Sequence, residues 1–280
     1  MTIEVMLAVL LGALLHALWN AMIRSSTNRT LDTVLVVSGA GAIMLCALPF
    51  APLPAPPSWP YLIASGVIHV AYFMLVALAY RDGALSFVYP IMRGSAPAMS
   101  AIAAALLLSE VPAAGGWLGV SLICGGVMLL AGDSWRTRSF HARSALFAAG
   151  TACVIVVYTL IDGIGVRLSG HAASYTGWVF LLTAVPLLVI FLARDHANTA
   201  SYLQQHWQRG LFGGFCALAS YALALWAMTR APIALVAALR ETAVIFAALI
   251  AAIVLRERIT RVRYLSILIV TAGAITIKLA

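Results

Sequence analysis

Long apolar runs set the pattern of this chain. Stretches of about twenty mainly apolar residues alternate with short gaps that hold most of the Arg and Pro. Ten runs are read at 3–23, 31–50, 60–80, 84–108, 115–131, 144–167, 172–193, 209–229, 233–255 and 262–279. Each is close to the length a helix needs to cross a bilayer core. A membrane barrel would instead show strands of about ten residues alternating apolar with polar. The predicted fold class is all-α integral membrane, with ten transmembrane helices. The stretch 49–60 (PFAPLPAPPSWP) cannot continue a helix and reads as a stiff, uncharged hairpin. The gap 132–143 (GDSWRTRSFHAR) is the most polar linker in the middle of the chain, and it divides five helices in 1–131 from five in 144–280.

Composition sharpens this picture. Of 280 residues, 63% are hydrophobic and 9% charged, against about 45–50% and about 25% in soluble domains. That excludes a soluble fold, and the short gaps leave no room for a water-soluble domain. The formal charge of +8 would suggest nucleic acid in a soluble protein, but here it reports topology. Arg24, Arg29, Arg81, Arg136, Arg138, Arg143, Arg194, Arg209, Arg256, Arg258, Arg261 and Arg263 fall on one face; Arg167, Arg230 and Lys278 fall on the face that holds both termini. Twelve against three predicts that the first face is cytoplasmic and that both termini lie outside, in a multi-pass protein of the inner (plasma) membrane. Residues 1–6 carry Glu4 and no Lys or Arg, so the first run is expected to stay as a helix and not be cleaved as a signal. The four Cys lie inside apolar runs without paired spacing, which implies neither disulfide nor metal site.

The two halves are related. A shift of 147 residues, without a gap, lays 77–110 on 224–257 and pairs Arg93 with Arg240, Glu110 with Glu257 and Gly126 with Gly273. Ala and Leu matches mean little in such composition, but charged matches in an apolar background do. An odd number of helices per half makes the second copy enter from the opposite face. Inverted repeats of this kind belong to transporters, with the substrate site near the midplane between them.

Ionisable groups inside apolar helices are functional candidates. At about 1.5 Å of rise per residue, Arg93 lies roughly 13 Å into its run and Arg240 roughly 10 Å into its own, from opposite faces. Two guanidinium groups at a central cavity suit a carboxylate or phosphate; the alternative is that each is a structural ion-pair member. Glu241 and Asp162 are candidate partners for Arg240, whereas Arg93 has no carboxylate deep in its own half. Arg93 is therefore the first choice for the anion contact. Around it, Tyr89 shares its helix face, and Pro90, Gly94 and Pro97 are expected to interrupt the backbone at a cavity, with a simple Pro kink that only shapes the bundle as the alternative. His16 and Asn20, four apart with Trp19 adjoining, are candidate hydrogen-bonding and aromatic walls, with helix glue and interface anchoring as the alternative. Tyr158 and Asp162 are their counterparts in the second half, and a surface pair of Asp162 with Arg167 is the alternative there. Tyr72 and His69, and Tyr221 with Trp226, complete the expected walls. Glu241, Asp162 and His16 are the candidates for coupling to protons.

The segment Leu15-His16-Ala17-Leu18-Trp19-Asn20, the Ala-rich fourth helix of each half ending at Glu110 and at Arg256-Glu257-Arg258, and the fifth helices around Gly125-Gly126 and Gly273 resemble the drug/metabolite transporter superfamily, in its EamA-type ten-helix branch. The resemblance spans essentially the whole chain. It implies a secondary transporter, an exporter of small polar metabolites such as amino acids or other anionic or zwitterionic compounds, without a cofactor. It also implies cytoplasmic termini, from which the charge count departs. Partners are expected to be a small-molecule substrate and the lipid bilayer, with protons as the candidate coupling ion and no nucleic acid; the chain is expected to be a monomer or a weak dimer. The other readings are a lipid-linked sugar translocator and a membrane-embedded lipid-modifying enzyme, but no GxxxxGK[ST], HExxH or GxSxG signature occurs.

Overall fold

The computed structural model describes residues 1–81, 85–135, 142–253 and 260–280, with side chains over 1–75, 92–130, 149–253 and 260–280. Every regular element described is helical: α1 (Ile3–Arg24), α2 (Arg29–Ala47), α3 (Trp59–Arg81), α4 (Leu85–Leu108), α5 (Ala114–Trp135), α6 (Ala142–Ser169), α7 (Ala172–Arg194), α8 (His196–Met228), α9 (Ile233–Arg240), α10 (Ala243–Ile253) and α11 (Arg261–Leu279). Among the described residues, eight stretches are long and apolar enough to cross a membrane. Shorter apolar stretches at Met92–Leu108 and Ala114–Leu130 belong to α4 and α5.

The starts and stops follow from capping chemistry. Asn28 Oδ1 accepts the Leu31 N–H at 3.1 Å to open α2, and Thr260 Oγ1 accepts the Arg263 N–H at 3.3 Å to open α11. At the end of α4, Ser109 adopts φ 56° and the Glu110 N–H reaches back to the Ala104 carbonyl at 3.2 Å. Ser takes the left-handed position usually given to Gly, and the bond six residues back closes the helix end. The Pro-rich hairpin holds two short 3₁₀ turns, Leu48–Phe50 and Pro56–Ser58, and the Ala55 N–H fastens it to the Ser169 carbonyl at the end of α6.

Two segments differ from the sequence expectation. The eighth run, expected over 209–229, begins thirteen residues earlier: Asp195 caps the Asn198 N–H, and a polar helical arm runs from His196 to a kink at His206 (φ −116°, ψ 16°). Helix geometry tolerates the polar sequence because Tyr202 donates to Asp32 Oδ1 at 2.8 Å and Arg209 pairs with Asp32 Oδ2 at 3.4 Å, tying the arm to α2. The ninth run, expected to be continuous over 233–255, breaks at Glu241–Thr242. There the Glu241 and Thr242 N–H groups turn back three residues, to Ala238 and Leu239, both at 3.0 Å. Conversely α4 is continuous through Pro90, Gly94 and Pro97, so the interruption expected in the first half lies in the second.

Packing between the halves is reciprocal. α1 packs on α8 as α6 packs on α3; α2 packs on α8 as α7 packs on α3; α2 meets α7 and α5 meets α11. The α5–α11 crossing makes the symmetry visible at the residue level. A Cβ on Gly119 would lie 2.9 Å from the Gly273 carbonyl oxygen, and one on Gly273 would lie 2.8 Å from that of Gly119. At the companion contact Ser266 Oγ donates to the Gly126 carbonyl at 2.6 Å. Under the 147-residue shift Gly119 is the mate of Ser266 and Gly126 of Gly273, so each residue meets the mate of the other. A self-complementary contact of this form is the signature of a two-fold relation.

Candidate functional site

Eight helices, the first four of each half with the broken helix represented by α9, line a partly open cavity; α5 and α11 contribute nothing to its lining among the described residues. It offers about 70 Å³ to water-sized molecules, where one water needs about 10–15 Å³. The lining brings together His16 and Trp19 of α1, His69 and Tyr72 of α3, Arg93 of α4, Tyr158 of α6, Tyr221 of α8 and Arg240 of α9, eight of the residues singled out in the sequence.

The charges are paired differently from the sequence expectation. Arg93 is buried and its Nε contacts Glu241 Oε2 at 3.0 Å, across the two halves, while its Nη2 donates to His16 Nε2 at 3.3 Å. A guanidinium can only donate, so His16 accepts at Nε2 and carries its proton on Nδ1 when neutral. No carboxylate of its own half serves Arg93, but the expectation that its charge is uncompensated is corrected: the break after α9 turns Glu241 of the other half towards it. Arg240, its sequence neighbour, gets neither expected partner. Its guanidinium lies 5.0 Å from the centroid of the Tyr221 ring, a cation–π contact, and no ion pair or hydrogen bond of its side chain occurs among the described residues.

Asp162 sits one layer behind the wall, fully enclosed. Tyr175 donates to its Oδ1 at 3.0 Å and Tyr221 to its Oδ2 at 2.5 Å. It does not pair with Arg167. That residue binds Glu110 and the Met228 and Ala231 carbonyls at 2.8 and 3.2 Å, while Glu110 Oε2 accepts the Ile233 N–H at 3.0 Å. This clamp holds the α8–α9 turn at the end of the bundle where Lys278 reaches the Met1 carbonyl.

Around Tyr158 the rings form a cage: His69 lies at 4.5 Å, Tyr72 at 5.7 Å and Tyr221 at 6.4 Å between centroids. His16 and Trp19 meet edge to face at 5.1 Å. Asn20 is not brought to the cavity, because its amide donates to the His16 carbonyl on its own helix at 2.8 Å. Nor is Trp226, which lies under Arg230 with the guanidinium 4.7 Å from the ring. The side chain of Tyr89 lies outside those described. Sequence reasoning missed Thr33, Phe180, Thr183 and Ser220 in the lining and Tyr175 behind it. Their one signal was a polar or aromatic residue in an apolar run. It is weak for Thr and Ser, since Thr33 and Thr183 are satisfied by the Arg29 and Val179 carbonyls of their own helices.

An all-helical chain with membrane-length helices packed around a polar and aromatic central cavity is the build of a membrane transporter. The chain belongs to the EamA-like transporter family, which matches it over residues 3–132 and again over 142–279. It is thus a multi-pass membrane protein of a family that transports small compounds. No match is found among curated proteins. Its fold is similar to that of a protein solved by crystallography and titled only "Crystal structure of protein", with a TM-score of 0.71 over 100% of this chain and 98% of the other at 17% identity.

Proposed function

We propose that the protein is a secondary transporter moving a small anionic or zwitterionic metabolite, amino acids included, by alternating access. The moving parts are two inverted five-helix repeats, 1–131 and 144–280, joined by the linker 132–143. The membrane is the inner membrane, both termini lie outside, and the direction is export. The single observation that carries the reading is Arg240: a guanidinium on the wall of a partly open cavity between the helices, with no carboxylate held to it among the described residues. A charge so placed is costly, and an incoming anion offsets that cost. Arg240 receives the anionic group. Arg93, fixed by Glu241 and His16, is the strut that keeps the first half against the second, and it lends its cavity-facing edge. Asp162 is the coupling carboxylate, since Tyr221 carries Arg240 on its ring face and Asp162 on its hydroxyl. No bond of the substrate is broken, so the protein is a carrier and not an enzyme.

The test is counterflow into liposomes holding the purified protein, against a panel of amino acids and mono- and dicarboxylates, with wild type beside Arg240→Gln. At least one panel member is expected to exchange, and Arg240→Gln to slow it by at least about tenfold, the loss of a charge-assisted contact. Wild-type rates from Arg240→Gln would overturn the reading.

A further inference from the structure

Building on that reading, we infer that the cavity takes a planar aromatic monocarboxylate and discriminates against the α-amino acid of the same shape. The first ground is charge. Among the described residues no carboxylate lines the cavity: Glu241 is held by Arg93, and Asp162 is enclosed behind Tyr221 and Tyr175. A carboxylate seated on Arg240 thus finds a cation in direct reach, whereas an ammonium one carbon away meets that same cation at short range, and the nearest carboxylates are held off the wall, Asp162 behind Tyr221 and Glu241 on Arg93. The protons of Thr33, Thr183 and Ser220 go to the Arg29, Val179 and Gly12 carbonyls, which leaves only neutral lone pairs to receive an ammonium. The buried orphan at the wall, Trp19 Nε1, is itself a donor.

The second ground is shape. The rings of His69, Tyr72, Tyr158, Phe180 and Tyr221 surround the space beside Arg240, meeting mostly edge to face with His69 tilted on Tyr158, an arrangement that continues naturally onto the faces and edges of a further ring. Aromatic cages also hold organic cations. Here Arg240 already occupies the Tyr221 face, and that excludes a second cation from it.

The test measures dissociation constants of the intact protein in lipid nanodiscs for four probes: 3-phenylpropanoate, 3-cyclohexylpropanoate, phenylalanine and phenethylammonium. The expected result is that 3-phenylpropanoate binds at least about tenfold more tightly than each of the others. Arg240→Gln should weaken it about as much and Arg240→Lys less, with both variants eluting as monodisperse protein. Equal or tighter binding of phenylalanine overturns the discrimination against ammonium, and equal binding of the cyclohexyl acid overturns the aromatic class. Tightest binding of phenethylammonium, or binding of none, overturns the inference as a whole. The anion site of the preceding section fails separately, and only if Arg240→Gln leaves every panel substrate transported as before.

Discussion

At the scale of single residues, the core of the site is an economy of charge. Two Arg residues, mates in the internal repeat, face one adjacent carboxylate, and Glu241 has gone to the one in the other half. Removing either member leaves the other charged and enclosed, so Arg93→Gln and Glu241→Gln should each cost about 3–5 kcal/mol, while the double variant should recover much of the loss. Thermal unfolding of the four proteins in one detergent checks this; additive losses would contradict it. Sequence alone places Arg93 and Arg240 deep in helices, because a charge in an apolar run stands out. Partner choice was not legible, because it depends on how α4 meets the α9–α10 break. Likewise Asp162 takes its hydrogen bonds from Tyr175 and Tyr221, 13 and 59 positions along the chain. The Arg240 premise changed for the same reason: adjacency to Glu241 in sequence put the two side chains on different courses once the helix broke between them.

At the scale of elements, apolar length between charged and Pro-rich gaps found the helices, and proline misplaced the break. α4 accommodates Pro90 and Pro97 without interruption, whereas the second half breaks without a proline, where the buried Glu241 leaves the helical ladder for Arg93. The short α9 depends on its clamp. Glu110 accepts the Ile233 N–H, and Arg167 holds both Glu110 and the carbonyls that end α8. Glu110→Ala is expected to cost about 1 kcal/mol, as for a lost N-cap, and to speed amide hydrogen exchange at Ile233. Exchange at Ile233 unchanged from wild type would sink that role. The arm before His206 was invisible to hydropathy because it is polar; the Asp195 cap at its start and the bond from Tyr202 to Asp32 make it an ordered part of α8.

At the scale of the whole molecule, the relation between halves was legible from a handful of matched residues because a two-fold contact constrains both copies at once. Gly119 and Gly273 sit where a side chain has no space, so Gly273→Val should drive α5 and α11 apart and abolish the monodisperse protein peak. An unaltered elution profile would speak against the crossing as described. Membrane orientation rests on the loop charges, twelve Arg against three basic residues. A periplasm-active reporter fused after Ala280 should be active and a cytoplasm-active one silent; the reverse pattern would turn the protein over.

The symmetry is incomplete at one point, since the mate of Glu241 under the repeat is Gly94, packed against Met128. Two halves that differ at the midplane present unlike barriers to a solute arriving from either side, so half-saturation and maximal flux should differ between inward and outward zero-trans measurements. Microscopic reversibility nevertheless fixes one quantity. For a carrier driven by its solute gradient alone, the ratio of maximal flux to half-saturation must be the same in both directions at zero voltage. Any inequality between the two ratios, measured under an imposed proton gradient and then without it, counts how strongly a second ion is geared to the solute.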